Sequence, residues 1–166
     1  MALSRTQNIA LLGAGAGAFA LAIALGSQHF LHLIPCPLCL RERWPYRIAI
    51  AVGLLAAVLP RAASRITCWV LVTVFVGAAA VASVHVGVEQ QWWQSPLPEC
   101  NGPDLRGLTA AQRFAAMPDR PGKSCEDKDY LIPAIPVTMT QANLAYALIT
   151  ACGLAYLLIS APRSAA

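Results

Sequence analysis

Four stretches of the chain run without a charged residue: Ile9 to Gly26, Ile48 to Pro60, Ile66 to Val88 and Ala142 to Ile159. None alternates apolar and polar positions as a half-buried strand does, so each predicts a helix. The first and last rise about 27 Å at about 1.5 Å per residue, close to the roughly 30 Å hydrocarbon core that a membrane helix must cross. The second is the shortest, but Trp44 and Tyr46 flank it as amphipathic rings of the kind that settle at a membrane interface. The first run follows Arg5 and precedes the small residues Ala22, Ala24, Gly26 and Ser27, which also fits a secretory leader. It is longer than the usual h-region of about 7 to 15 residues, and its glycines Gly13, Gly15 and Gly17 suit close helix packing in lipid. The expectation is an all-α integral membrane four-helix bundle: one domain over 1–166, with helices at about 8–27, 44–60, 66–88 and 141–160.

Composition agrees. Of 166 residues, 57% are hydrophobic and 12% charged, against roughly 25% charged in an ordinary soluble domain. This excludes a soluble globule, a disordered chain and a nucleic-acid binder.

Four spans place both termini on one side. A short first loop (about 28–43) and a long second one (about 89–140) then share the other. Cys36 and Cys39 fall in the first loop and Cys100 and Cys125 in the second, so parity alone gathers four of the six cysteines on one membrane face. Cys68 and Cys152 lie within apolar helices, where buried small hydrophobes are expected. Within the long loop, Thr109 and Gln112 have the spacing of a capping box. A short helix to about Met117 should follow, ended by Pro118, Pro121 and Gly122, with Leu108, Ala111, Phe114 and Ala115 as an apolar stripe resting on the bilayer.

Disulfides persist in oxidising compartments, which favours the periplasmic or another extracytoplasmic side for the cysteine loops. The net charge of +4 then has an address. Arg5, Arg61, Arg65 and Arg163 lie on the cytoplasmic side with no acid, whereas the other side carries eight bases and all eight acids. The positive-inside rule counts bases, and Arg41, Arg43 and Arg47 beside the first cysteine pair leave the raw count ambiguous. Headgroup snorkelling is one use for Arg41 and Arg47.

Cys36-Pro37-Leu38-Cys39 is a C-x-x-C motif. Leu40 in place of histidine excludes haem attachment. A zinc site needs four ligands, usually in two closely spaced pairs, and Cys100 and Cys125 are far apart in sequence, so no metal ligand set is assigned. Thiol–disulfide exchange remains. A helix beginning near Cys39, together with Arg41 and Arg43, would favour a thiolate there. Two redox pairs in a membrane need an electron acceptor. A strongly oxidising periplasmic dithiol carrier sits near roughly −120 mV and glutathione poises near about −220 mV or lower, so glutathione disulfide cannot reoxidise such a carrier. A lipid-soluble quinone can.

Gln28-His29, then Pro35-Cys36-Pro37-Leu38-Cys39, then Glu42-Arg43, followed by a second cysteine pair after the third helix, resembles the DsbB family of disulfide-bond formation proteins along essentially the whole chain. The resemblance implies a bacterial inner-membrane thiol:quinone oxidoreductase that takes electrons from a periplasmic thioredoxin-fold oxidase, DsbA, and passes them to ubiquinone or menaquinone. It further implies that the partner attacks Cys100, that Cys125 leaves and couples with Cys36, and that Cys39 faces the quinone as a thiolate. Arg43 would hold the quinone and His85 would neighbour it; His29 and Glu89 carry no assigned role. The segments around Cys100 and Cys125 look like a divergent branch, which leaves the identity of the oxidase partner open. In the vitamin K epoxide reductase family the C-x-x-C follows the loop pair; here it precedes it. The remaining alternative is a non-catalytic membrane protein whose loop cysteines form structural disulfides or bind metal.

Overall fold

The computed structural model describes residues 4–101, 107, 109–115, 123–130, 132 and 134–160. Helices α1 (Arg5–Phe30), α2 (Pro37–Val58) and α3 (Arg61–Glu89) follow one another closely. Two short helices, α4 (Pro98–Asn101) and α5 (Ala110–Ala115), precede α6 (Met139–Ile159). No strand occurs among the described residues; Tyr130 and Thr138 form an isolated antiparallel bridge.

The helix starts follow from local hydrogen-bond chemistry. Ser4 with Gln7, and Thr138 with Gln141, form reciprocal capping boxes at the heads of α1 and α6, satisfying backbone donors that have no intrahelical acceptor. The box at Thr109 and Gln112 is also formed, and α5 follows it. None of the residues of α5 is buried, and Phe114 is 76% exposed. The expected end of this helix, with Leu108, Met117, Pro118, Pro121 and Gly122, lies outside the described residues, as does Arg163.

Helices α1, α3 and α6 are long and apolar enough to cross a membrane. Helix α2 differs from expectation in two ways. It starts at Pro37 rather than near Trp44, and its first three turns carry Arg41, Glu42, Arg43 and Arg47, so it is too charged to qualify on composition. Tyr46 is not an interfacial ring: it is 3% exposed and stacks edge-on against Phe75. Trp44 does face outward, with the Arg47 guanidinium 5.2 Å from its ring centre.

Helix α1 packs on α2, α2 on α3, and α3 on α6, with α1 closing against α3 and α6. The core is built largely from alanines, among them Ala10, Ala49, Ala56, Ala78, Ala79, Ala147 and Ala151, around Leu71, Phe75 and Leu158. Small residues let helix backbones approach without the help of solvent exclusion. Neighbouring backbone comes close at Gly17 and Gly53. A Cβ at Gly17 would stand 2.9 Å from the Tyr46 carbonyl oxygen, and one at Gly53 would stand 2.8 Å from that of Ala10. Gly15, by contrast, faces open space, so it takes no part in the packing face expected of the three glycines. Cys68 is buried as expected, but Cys152 is exposed, since it falls off the Ala147, Ala151, Leu154 and Leu158 stripe that α6 turns inward.

Gly53→Leu should therefore wedge α1 from α2 and cost about 1–3 kcal/mol, while Gly15→Leu stays within about 0.5 kcal/mol. Thermal unfolding of the purified protein in detergent checks this; equal losses from the two variants would refute the packing assignment.

Candidate active site

The first cysteine pair sits at the head of α2. Cys36 is its N-cap, Pro37 occupies the first helical position, and the Cys36 sulfur accepts the backbone N–H of Cys39 at 3.1 Å. Proline suits that position because its missing N–H would have no partner there. The two sulfurs lie 2.7 Å apart. Because the helix begins at Pro37, its free donors converge on Cys36 and not, as expected, on Cys39. The neighbouring Cys39 thiol, with the N–H groups of Cys39 and Leu38, pulls the Cys36 thiol below its ordinary range, against burial and the Glu42 charge. Nor does Arg43 turn toward Cys39. It donates to Gln28 Oε1 at 3.0 Å and to the Ala24 carbonyl at 3.4 Å, both on α1.

The second pair, Cys100 and Cys125, is a disulfide with Cα atoms 5.3 Å apart. Cys125 packs with Cys36, Leu38 and Val88 in a small buried cluster, and Cys39, Leu97 and Cys100 lie against it. The four loop cysteines are thus brought together. Their exposures are graded: Cys125 is 1% and Cys36 3% exposed, whereas Cys100 and Cys39 are only partly buried. Local contacts hold the loop there. Lys123 pairs with Asp129, and the Asp129 carbonyl accepts the Met139 N–H at 2.7 Å. After α3 the chain reverses at Gln91 (φ 58°), and the Trp93 indole donates back to the Val84 carbonyl at 3.1 Å.

Behind the sulfurs runs a buried polar network. The ring of His85, 3% exposed, stands with Nε2 3.5 Å from the Cys36 sulfur, and its Nδ1 is 2.7 Å from Glu42 Oε1. The Asn143 amide donates to Glu42 Oε2 at 2.8 Å and accepts from the Tyr46 hydroxyl at 2.6 Å. Of the residues without an assigned role, Glu89 is buried with Oε2 accepting from the Thr138 hydroxyl at 3.1 Å, and His29 is exposed, edge-on against Phe30. Glu42, Asn143, Tyr46 and Gln28 were not singled out for these contacts. Asn143 had a signal: an amide inside an apolar run of membrane length needs a polar partner.

A cavity of about 240 Å³ opens between α1, α2 and α6. Its apolar wall includes Phe19, Ile23 and Tyr146, and its polar edge includes Cys36, Cys39, Glu42, Arg43 and His85. Arg43 Nε is buried there with no hydrogen-bond partner. A buried N–H left unsatisfied in an apolar cavity costs about 1–3 kcal/mol, so it suits a ligand that brings a carbonyl oxygen. The sulfurs of Cys36 and Cys39 and a ring nitrogen of His85 also lie within 4.8 Å of one another, a grouping able to hold a metal ion.

Comparison with known proteins places the chain in a family. Residues 5–157 match the family model "Disulfide bond formation protein DsbB". A disulfide bond formation protein B of Dechloromonas aromatica (strain RCB) is 39% identical over 90 residues, 52% of this chain and 51% of that protein. The chain thus spans about half the length of that relative. The uncharacterized protein RP370 of Rickettsia prowazekii (strain Madrid E) is 27% identical over 127 residues, 75% of this chain and 72% of its own. No solved structure matches the chain. With a family match over nearly its whole length, and helices apolar enough for a bilayer, the chain is a membrane protein of the DsbB family.

Proposed function

We propose that this protein reoxidises a periplasmic thioredoxin-fold dithiol oxidase of the DsbA type and delivers the two electrons to a membrane quinone, ubiquinone or menaquinone. In this reading α2 is a fourth span, both termini are cytoplasmic, and the cysteine loops face the periplasm of a bacterial inner membrane. The observation that carries it is the grading of the four sulfurs: two buried in the middle, Cys125 and Cys36, and one reachable at each end, Cys100 and Cys39.

The chemistry balances as follows. A thiolate of the reduced partner attacks Cys100, the Cys100–Cys125 bond breaks, and Cys125 leaves as a thiolate. The partner's second thiol then displaces Cys100 and the partner departs oxidised. Cys125 attacks Cys36 of an oxidised Cys36–Cys39 pair, and Cys39 leaves. Cys100 next attacks Cys125, restoring the Cys100–Cys125 disulfide and freeing Cys36. That end point, one loop disulfide beside a Cys36 and Cys39 dithiol, is the state of the structure. A quinone in the cavity supplies an acceptor for two electrons and two protons, which closes the Cys36–Cys39 disulfide again. Arg43 Nε offers a hydrogen bond to a carbonyl oxygen. With Nδ1–H donated to Glu42, His85 keeps Nε2 free as an acceptor for the Cys36 proton.

The purified protein with added quinone should reoxidise a reduced thioredoxin-fold oxidase, followed by the absorbance change of quinol formation. Cys39→Ser and Cys100→Ser should each abolish turnover; full turnover in both would refute the proposal. Arg43→Ala should raise the apparent KM for quinone by about tenfold or more, the worth of one hydrogen bond to a charged donor, and leave that for the dithiol partner unchanged. Equal effects on both would remove Arg43 from the quinone site.

The Cys36 thiol, held below its ordinary range, should stay reactive as pH falls below the free-thiol midpoint of about 8.5. Cys39→Ala deletes its largest support, so the midpoint for Cys36 alkylation, measured by mass spectrometry of the C-x-x-C peptide, should move upward. No movement would place the support elsewhere.

A further inference from the structure

The geometry points to a second ligand at the head of α2: we propose that the reduced Cys36 and Cys39 pair, together with His85, forms a binding site for a thiophilic divalent cation such as zinc. Three ligand atoms already converge, the two sulfurs and a ring nitrogen of His85 lying within 4.8 Å of one another. The 3.5 Å from Cys36 Sγ to His85 Nε2 matches the edge of a tetrahedron drawn with metal–sulfur bonds of about 2.3 Å and a metal–nitrogen bond of about 2.0 Å. The 2.7 Å between sulfurs must open by about 1 Å to reach the corresponding sulfur–sulfur edge. Cys39, the less buried of the two, is the side chain that would make that rotation.

The surroundings are those of a built site. Glu42 holds the far nitrogen of His85 at 2.7 Å, the arrangement by which a carboxylate fixes the tautomer and raises the basicity of a metal-binding imidazole. Asn143 in turn orients Glu42. Two thiolates neutralise the charge of a divalent ion, so the complex is neutral where an isolated buried charge would be costly. The fourth position faces the cavity and takes a water. Binding converts two thiols and one cation into a bis-thiolate complex and releases two protons, with no change of oxidation state.

Only the dithiol form can bind, because a Cys36–Cys39 disulfide has no thiolate to give. The site is therefore redox-gated. Its consequence for turnover rests on the proposed function: the cation traps the dithiol state and blocks its reoxidation.

The test uses the full chain in detergent, in a Cys68→Ala/Cys152→Ala background so that only the loop cysteines are present. Reduced, desalted protein is mixed with zinc or cadmium chloride and desalted again; bound metal is counted and the ultraviolet sulfur-to-cadmium charge-transfer band recorded. One ion per chain is expected. It should be retained in Cys100→Ser/Cys125→Ser, lost in Cys36→Ser/Cys39→Ser and in oxidised protein, and bound about tenfold or more weakly in Glu42→Gln. No uptake by reduced protein, uptake that survives Cys36→Ser/Cys39→Ser, or equal uptake by oxidised protein would overturn the site. Quinone turnover is measured separately without metal, so failure of the enzymatic reading and failure of the metal site give different results.

Discussion

A carboxylate buried between apolar helices is costly unless donors meet its oxygens, and in this protein the pairing of both oxygens of Glu42 organises the cysteine end of the molecule. One oxygen faces His85 of α3 and the other takes the amide of Asn143 of α6. Three helices are thereby fixed in rotation and height at the level of the cysteines. Leaving a buried hydrogen-bonding group without its partner typically costs about 1–3 kcal/mol, more for a charged one, so this contact tolerates little slack. Its by-product is orientation: a histidine held at Nδ1 presents Nε2 toward the Cys36 sulfur.

The opposite end solves a different electrostatic problem. Helix α6 ends with unpaired carbonyls, where the macrodipole favours cations. Arg65 donates to the Leu158 carbonyl at 3.1 Å, and Arg5 reaches the Ser160 hydroxyl at 3.4 Å. Two of the arginines that make the expected cytoplasmic face basic thus also take part in packing at the end of α6. At the cysteine end the bases are matched by acids, some in direct pairs such as Lys123 with Asp129.

This division explains what could be read from the chain alone. Charge-free runs revealed α1, α3 and α6 because in an apolar environment the backbone must be satisfied internally, leaving composition as the signal. Loop parity brought four cysteines together before any coordinate did. The start of α2 was hidden because Pro37 and the Arg41-Glu42-Arg43 cluster read locally as a loop; in the helix, Gln28, His85 and Asn143, remote in sequence, pair with Arg43 and Glu42. A start at Pro37, ahead of Cys39, is also what gives the N-cap position and its backbone donor to Cys36. Asn143 was masked by the apolar residues around it, and Arg43 was placed at the site by motif while its α1 partners were not foreseen.

The order of burial along the four sulfurs constrains how electrons can travel. Thiol–disulfide exchange requires an attacking sulfur to reach its target, so access decides which exchanges occur. Cys100 is the more exposed sulfur of its pair, whereas Cys125 is enclosed with Cys36 and Val88. Cys125 shares its buried cluster with Cys36, and Cys36 and Cys39 both line the apolar cavity, Cys39 being the less buried of the two. Each transfer is reversible taken alone. In the proposed reaction, direction would therefore come from having one class of reactant at each end, thiols at Cys100 and a lipid-soluble oxidant at Cys39, with the buried Cys125 and Cys36 between them.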